Sequence, residues 1–199
     1  MGNILHIISS PMGNRSHSIK LGRAIIKSLL LKNPESKIIE RNLLDDNLPY
    51  IDGMHISASF KNNADRTNAE KERLLYSDSV ISELKNAEII IIGAPMYNFS
   101  IHASLKAFID QIVRLQQTIK YETDGTRTGL LTDKVAYLAV TAGGNYKNNS
   151  FNPLNDYIVS YLSAILNYIG IRQVIPVIIE GTVAPNFAPD YDEVCRNIK

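Results

Sequence analysis

Residues 88–113, EIIIIGAPMYNFSIHASLKAFIDQIV, decide how the rest of the chain is read. Four consecutive isoleucines, Ile89 to Ile92, run into Gly93 and Ala94. A short β-branched run ending in small residues reads as a strand buried on both faces. Pro95 stops it. Met96, Tyr97, Asn98 and Phe99 then form a loop, and 104–113 reads as a helix. The loop thus sits where a buried strand meets the next helix, and in open α/β sheets that carboxyl edge is where ligands bind. Two aromatics and an amide at this edge either face a flat, polar-edged ring or cap the core. The loop alone does not choose between the two.

Working outward, the same punctuation recurs. Residues 4–8 form a short apolar run ending at Ser9, Ser10 and Pro11, and are expected to be the first, central strand. His6 inside it has no His, Cys or acidic neighbour in sequence, so it is read as a strand residue and no metal site is expected. After the 11–15 loop, Ser16-His17-Ser18 opens a helix whose Leu21, Ala24, Ile25, Ser28 and Leu29 share one face, with Gly22 off it. Ser16 or Ser18 serves as N-cap, and the helix ends before Pro34. Strand, hydroxyl-rich loop and helix N-terminus together form an arrangement that binds phosphate through unpaired N–H groups and the positive end of the helix dipole. Simple capping would explain one serine more easily than four. Neither G-x-G-x-x-G nor a Gly-Lys-Ser/Thr phosphate loop is present.

Residues 37–43 read as a more polar strand near an edge. Residues 45–68 read as polar and irregular, a long excursion that could cover the site. Residues 69–87 form a charged amphipathic helix burying Leu74, Leu75, Val80, Ile81 and Leu84. Beyond the central unit, Asp124-Gly125 after a β-prone run marks an inserted hairpin at 118–126. Residues 135–141 are the next strand, ending in Ala142-Gly143-Gly144, where backbone can approach a ligand or simply turn. Residues 156–169 are a helix with Tyr157, Tyr161, Ile165 and Tyr168 at helical spacing, a stripe suited to core or subunit interface. Residues 173–180 are the last strand, placed at an edge by Pro176. A short helix follows, through Cys195.

Five strands alternating with helices imply one α/β domain over 1–199 with a parallel sheet and right-handed crossovers. The three candidate loops follow strands one, three and four, which are adjacent in the flavodoxin-like order 2-1-3-4-5. Serines for a phosphate, an aromatic loop for a ring and a Gly pair at the ring's far edge then converge. A mononucleotide with a large flat base fits, and FMN fits best. Composition agrees with an ordinary globular protein: 199 residues, 45% hydrophobic and 21% charged. The net charge of +1 provides no electrostatic case for nucleic acid or a membrane surface. No run spans a bilayer, the N-terminal residues lack a secretory pattern, and a single cysteine excludes an internal disulfide. A cytoplasmic protein is expected.

Ser9-Ser10 with Ser16-His17-Ser18, Ala94-Pro95-Met96-Tyr97-Asn98-Phe99, Gly143-Gly144 and the 161–171 segment resemble the FMN-dependent NADH azoreductase family, whose members also reduce quinones. The resemblance runs in order along nearly the whole chain, and the P-M-Y-N-F loop is its most specific part. It implies a flavodoxin-like three-layer sandwich, bound FMN, and a homodimer with active sites at the interface. It further implies ping-pong transfer of two electrons from NADH or NADPH to quinones and aromatic azo compounds. By that match Ser10, Ser16, His17 and Ser18 hold the phosphate. Pro95 and Met96 through Phe99 follow the isoalloxazine, and Thr141, Ala142, Gly143 and Gly144 approach its pyrimidine end. Ala142 stands where many members carry a polar or basic residue, and Tyr146 where some carry His. No covalent catalytic residue is expected, since the cofactor carries the chemistry. Tyr121 and Tyr146 are candidates for substrate contact, and His102 is either that or a helix-start surface residue. Three competing readings are a flavodoxin-type electron carrier, a serine hydrolase lacking its G-x-S-x-G, and a receiver domain lacking its acidic residues.

Overall fold

The computed structural model describes residues 2–45, 47–147 and 150–198. In chain order it contains β1 (Asn3–Ile8), α1 (His17–Leu30), β2 (Ile38–Asn42), α2 (Gly53–Ser59) and α3 (Asn68–Asn86). There follow β3 (Ala87–Pro95), α4 (Ala103–Ile112), β4 (Ile119–Tyr121), β5 (Arg127–Gly129) and β6 (Val135–Thr141). The chain closes with α5 (Ser160–Tyr168), β7 (Gln173–Ile179) and α6 (Tyr191–Val194). A π-helical turn, Leu154–Val159, leads into α5.

The five long strands form one parallel sheet in the order β2-β1-β3-β6-β7. Numbered within the sheet, that is the expected 2-1-3-4-5, with β4 and β5 as the separate antiparallel hairpin. The isoleucine run makes β3 the centre, paired with β1 on one side and β6 on the other. Successive side chains of a strand point to opposite faces, and the core divides accordingly. Leu5, Ile7, Ile90 and Ile92 pack on the side of α3, α4 and α5. Ile4, Ile91, Tyr137 and Ala139 pack beneath α1 and α6. Each such fully buried aliphatic contributes about 1.5–3 kcal/mol. The edges fall to β2, whose Ile38 and Ile39 are exposed, and to β7, where Pro176 leaves no ladder donor missing at the centre.

Four details depart from the sequence reading. Gly22 is buried, not off the packed face of α1. A Cβ there would stand 2.3 Å from His6 Nε2, so the glycine lets the helix close over a histidine that is wholly buried. Leu75 is 63% exposed, and Ser77 occupies the buried face of α3 instead, donating to the Gln111 carbonyl at 2.6 Å. The 45–68 excursion is not irregular: it holds α2, capped by Asp52, which accepts from His55 N at 2.8 Å, and a 3-10 turn at Asn63–Asp65. It packs on α3 and α4, with Gln111 Nε2 donating to the Pro49 carbonyl and Arg73 paired to Asp52. The helix expected to begin at 156 starts in the π-turn at Leu154.

The hairpin is seated by close backbone contact. A Cβ on Gly129 would lie 2.2 Å from Gly170 N, and Leu131 N donates to the Ile169 carbonyl at 2.8 Å. Gly170 itself has φ +112°.

Candidate functional site

At the carboxyl edge of the sheet, the loops after β1, β3, β6 and β7 surround a cleft of about 380 Å³. The first loop contributes Ser10, Met12, Arg15, Ser16 and His17; the second, Pro95, Met96 and Tyr97. The third contributes Thr141, Ala142 and Gly143, and the fourth Thr182 and Val183. The volume lies within the usual range for small-ligand sites.

One end of the cleft is the start of α1. Ser16 is its N-cap: its hydroxyl accepts from Ile19 N at 3.3 Å and lies 3.0 Å from the Ser18 hydroxyl. First-turn N–H groups have no intrahelical acceptor, so those of His17 and Ser18 remain for a ligand. Ser10 is 4% exposed, and its hydroxyl receives a long contact, 3.4 Å, from Met12 N. Ser9 is structural: buried, it donates to the Gly93 carbonyl at 2.7 Å. Arg15 brings a cation to this end. The His17 ring sits 2.6 Å from the Tyr191 hydroxyl through Nδ1, edge-on to Phe187. Burial, then the nearby Lys20, hold the His17 pKa below the ordinary histidine value, and burial raises that of Tyr191.

The middle wall is the loop after β3. Met96 N donates to the Thr141 carbonyl at 2.8 Å, which ties the loop to the end of β6. Tyr97 and Ser100 exchange backbone hydrogen bonds at 2.9 and 3.0 Å, with Asn98 at φ +49° and Phe99 at φ +64° between them. Positive φ at both central residues is the type I′ geometry. It costs energy in residues with a Cβ, and such strain concentrates at functional sites. The turn leaves Tyr97 against the cleft, its ring 5.5 Å from His102. His102 is a capping residue: its Nδ1 accepts from Ser104 N at 3.2 Å.

The far end is the turn after β6. Gly181 N donates to the Gly144 carbonyl at 2.9 Å and Thr182 N to that of Ala142 at 3.1 Å. A Cβ on Gly143 would meet Val183 Cγ1 at 3.0 Å, so the glycine admits the loop after β7.

The structure therefore brings Ser10, Ser16, His17, Pro95, Met96, Tyr97, Thr141, Ala142 and Gly143 to one cleft. Ser18 lies beneath it, wholly buried. Asn98 and Phe99 turn to an adjoining cavity of about 920 Å³, shared with Lys106, Tyr157 and Tyr161. Gly144 stands beside the cleft, under Tyr146, whose hydroxyl would be 2.8 Å from a Cβ there. Tyr146 N donates to Glu180. Tyr121 is elsewhere in the same chain, lining a cavity of about 260 Å³ with Phe60 and Arg114. Sequence reasoning missed Met12, Arg15, Thr182 and Val183. The signal for the last two was topological, since the strand beside β6 must end next to the Gly pair. Among the described residues no cluster of His, Cys, Asp and Glu is placed to hold a metal.

A family model described as flavodoxin-like fold matches residues 2–199. An FMN-dependent NADH:quinone oxidoreductase of Pelagibacter ubique is 38% identical over 173 residues, covering 86% of this chain and 84% of the relative. FMN-dependent NADH:quinone oxidoreductase 1 of Hahella chejuensis is 37% identical over 171 residues, covering 86% and 81%. Among solved structures, an azoreductase from Bacillus anthracis strain Sterne matches with a TM-score of 0.81 at 27% identity, over 92% of this chain and 88% of that one. An FMN-dependent NADH-azoreductase from Bacillus anthracis strain Ames Ancestor, in complex with FMN, matches with a TM-score of 0.76 at 29% identity, over 98% and 94%.

Proposed function

Because the chain belongs to the FMN-dependent NADH:quinone oxidoreductase family, on the flavodoxin-like fold, we propose that its cleft holds FMN and serves two-electron transfer from NADH or NADPH to quinones and aromatic azo compounds. One observation carries the reading: a helix N-terminus with free N–H groups, an aromatic loop under backbone strain and a glycine turn bound one continuous cleft. Held there, FMN would supply the two-electron hydride chemistry. The protein's own residues do the rest. Ser10, Ser16 and the first-turn amides of α1 hold the phosphate; Met96 and Tyr97 orient the ring; Thr141 to Gly143 set its polar end. Alternation of donor and acceptor in one place is ping-pong kinetics. The carrier reading is disfavoured by relatives named for NADH oxidation.

The reading extends to a homodimer. Phe99, Phe151 and Tyr157 are each about half exposed and stack edge to face, and Phe99 and Tyr157 border the larger cavity beside the cleft. A second copy covering them would complete the ring-side pocket, and Tyr121 would reach a substrate only from such a neighbour. No helix among the described residues is long and apolar enough to cross a membrane, which accords with a cytoplasmic enzyme.

The visible spectrum under anaerobic conditions tests the proposal. A flavin spectrum is expected to bleach on NADH or NADPH and to return on adding a quinone. A flavin that neither cofactor reduces would overturn the enzyme in favour of the carrier. A protein that takes up no FMN would overturn the cleft.

A further inference from the structure

The C-terminal segment contributes a side chain to the phosphate end that none of the sheet-edge motifs supplies. Tyr191 opens α6, and its hydroxyl meets His17 Nδ1 at 2.6 Å. The two rings are also stacked at 6.4 Å, with Phe187 edge-on to His17 at 5.0 Å. His17 is thereby held on three counts. Because Nδ1 is engaged, Nε2 is the nitrogen left available on a ring that lines the cleft.

The segment that presents Tyr191 is firmly attached. Asp190 caps α6, accepting from Glu193 N at 3.0 Å. Lys27 of α1 pairs with Asp192 at 2.5 Å, Ser28 donates to the Cys195 carbonyl at 2.9 Å, and Lys32 to that of Ile198 at 3.0 Å. Cys195 and Ile198 are buried against α1. Lys27 and Ser28 lie on the helix whose N-terminus forms the phosphate end, and Lys32 just past its last turn, so Tyr191 and His17 are held to the same element.

We infer that Tyr191 is a positioning residue for phosphate recognition: it orients His17 so that the imidazole adds a side-chain donor to the helix N-terminus, making the site select FMN over riboflavin. The inference rests on the cleft holding FMN. A phenol suits the task because it works with either form of the ring. It donates to Nδ1 of a neutral imidazole, leaving the proton on Nε2, and accepts from Nδ1–H of the imidazolium. In both of these forms Nε2 carries its proton, on a ring that lines the cleft. The cation that acts on His17 is Lys20 on its own helix, while Arg15 lines the same cleft and adds to the field a phosphate meets.

The test is flavin binding to apoprotein, read by fluorescence quenching, with FMN and riboflavin titrated in parallel. Tyr191→Phe keeps both ring contacts and removes only the hydroxyl. It is expected to raise the Kd for FMN by about tenfold and to leave that for riboflavin unchanged. His17→Ala is expected to do the same, and the double variant to be no worse than His17→Ala, since coupled residues are not additive. The 15N shifts of His17 would show loss of a single ring-nitrogen state in Tyr191→Phe. Equal weakening of both flavins, or additive losses in the double variant, would overturn the positioning role and leave Tyr191 as packing. Unchanged FMN affinity in Tyr191→Phe would overturn it outright. A wild-type protein that binds neither flavin would instead overturn the cleft assignment beneath it.

Discussion

His6 shows how one side chain can be fixed by a residue that has none. It is wholly buried in β1, paired to Glu40 at 3.0 Å, with Nε2 under Gly22 and no partner. Replacing Gly22 by Ala gains about 1 kcal/mol of helix propensity. The new Cβ, 2.3 Å from the ring, has no room, because β1 is locked between two strands. Gly22→Ala is expected to destabilise the protein by about 2 kcal/mol net, measured by denaturant unfolding. His6 and His55 are both buried, and burial lowers both pKa values below the ordinary 6.5. For His55, Arg114 and Arg73 push the same way, against Asp52 and Asp78. Below pH 6.5 the unfolded chain thus binds protons that the folded one refuses. Stability is full above that value and falls as pH drops toward the lowered folded pKa values, by up to about 1.4 kcal/mol per pH unit for each histidine. Unfolding free energies at pH 7.5 and 5.5 check this. His55→Gln should shrink the difference, and an unchanged difference would remove His55 as a source.

At the scale of elements, the hairpin is held by the same device. Gly129 lies against the backbone of Gly170, and Arg127 stacks over Tyr168 at 3.8 Å. Gly129→Ala would lift β4 and β5 off the end of α5, at a cost of about 2–3 kcal/mol if the base stays attached. Faster hydrogen exchange confined to 119–131, with the central strands still protected, would show local release. The sheet, its order and the hairpin were legible in the sequence because each rests on a short-range pattern: the isoleucine run, the edge proline at 176, Asp-Gly at 124–125. α2 was not. Gly53-Met54-His55-Ile56-Ser57-Ala58-Ser59 is a single short piece with Gly, Ser and a β-branched residue, and only the Asp52 cap announces it. Packing on α3 makes the helix, and no local pattern records that. The cleft divides the same way. Its serines, Tyr97 and Gly143 were visible as loop residues, while Thr182 and Val183 enter only once β7 is placed beside β6. Phe99 was visible as an aromatic, but its outward direction follows from two successive positive φ values that the letters do not encode.

For the molecule as a whole, that outward turn matters most. A type I′ turn normally carries Gly or Asn at its centre, and here a phenylalanine is held at φ +64° and 48% exposed. The proposed dimer would account for both the strain and the exposure, with a second copy covering the side chain. Phe99 lies 5.6 Å from Phe151, which lies 6.0 Å from Tyr157, and Phe99 and Tyr157 border a cavity of about 920 Å³ open to solvent. Contiguous exposed aromatics of this kind mark association surfaces. Light scattering is expected to give twice the monomer mass. Tyr157→Asp would place a charge on the patch without touching the cleft, and is expected to weaken the dimer by 100-fold or more, on the order of 3 kcal/mol. Phe99→Gly separates strain from contact. It relieves a left-handed residue, so monomer stability should hold or rise by about 1 kcal/mol, while dimer affinity falls. If both variants stay dimeric, the patch is not the interface. If they become monomeric yet still bind FMN while quinone reduction drops, the cleft and the active site are different things, and the second is completed only by two chains.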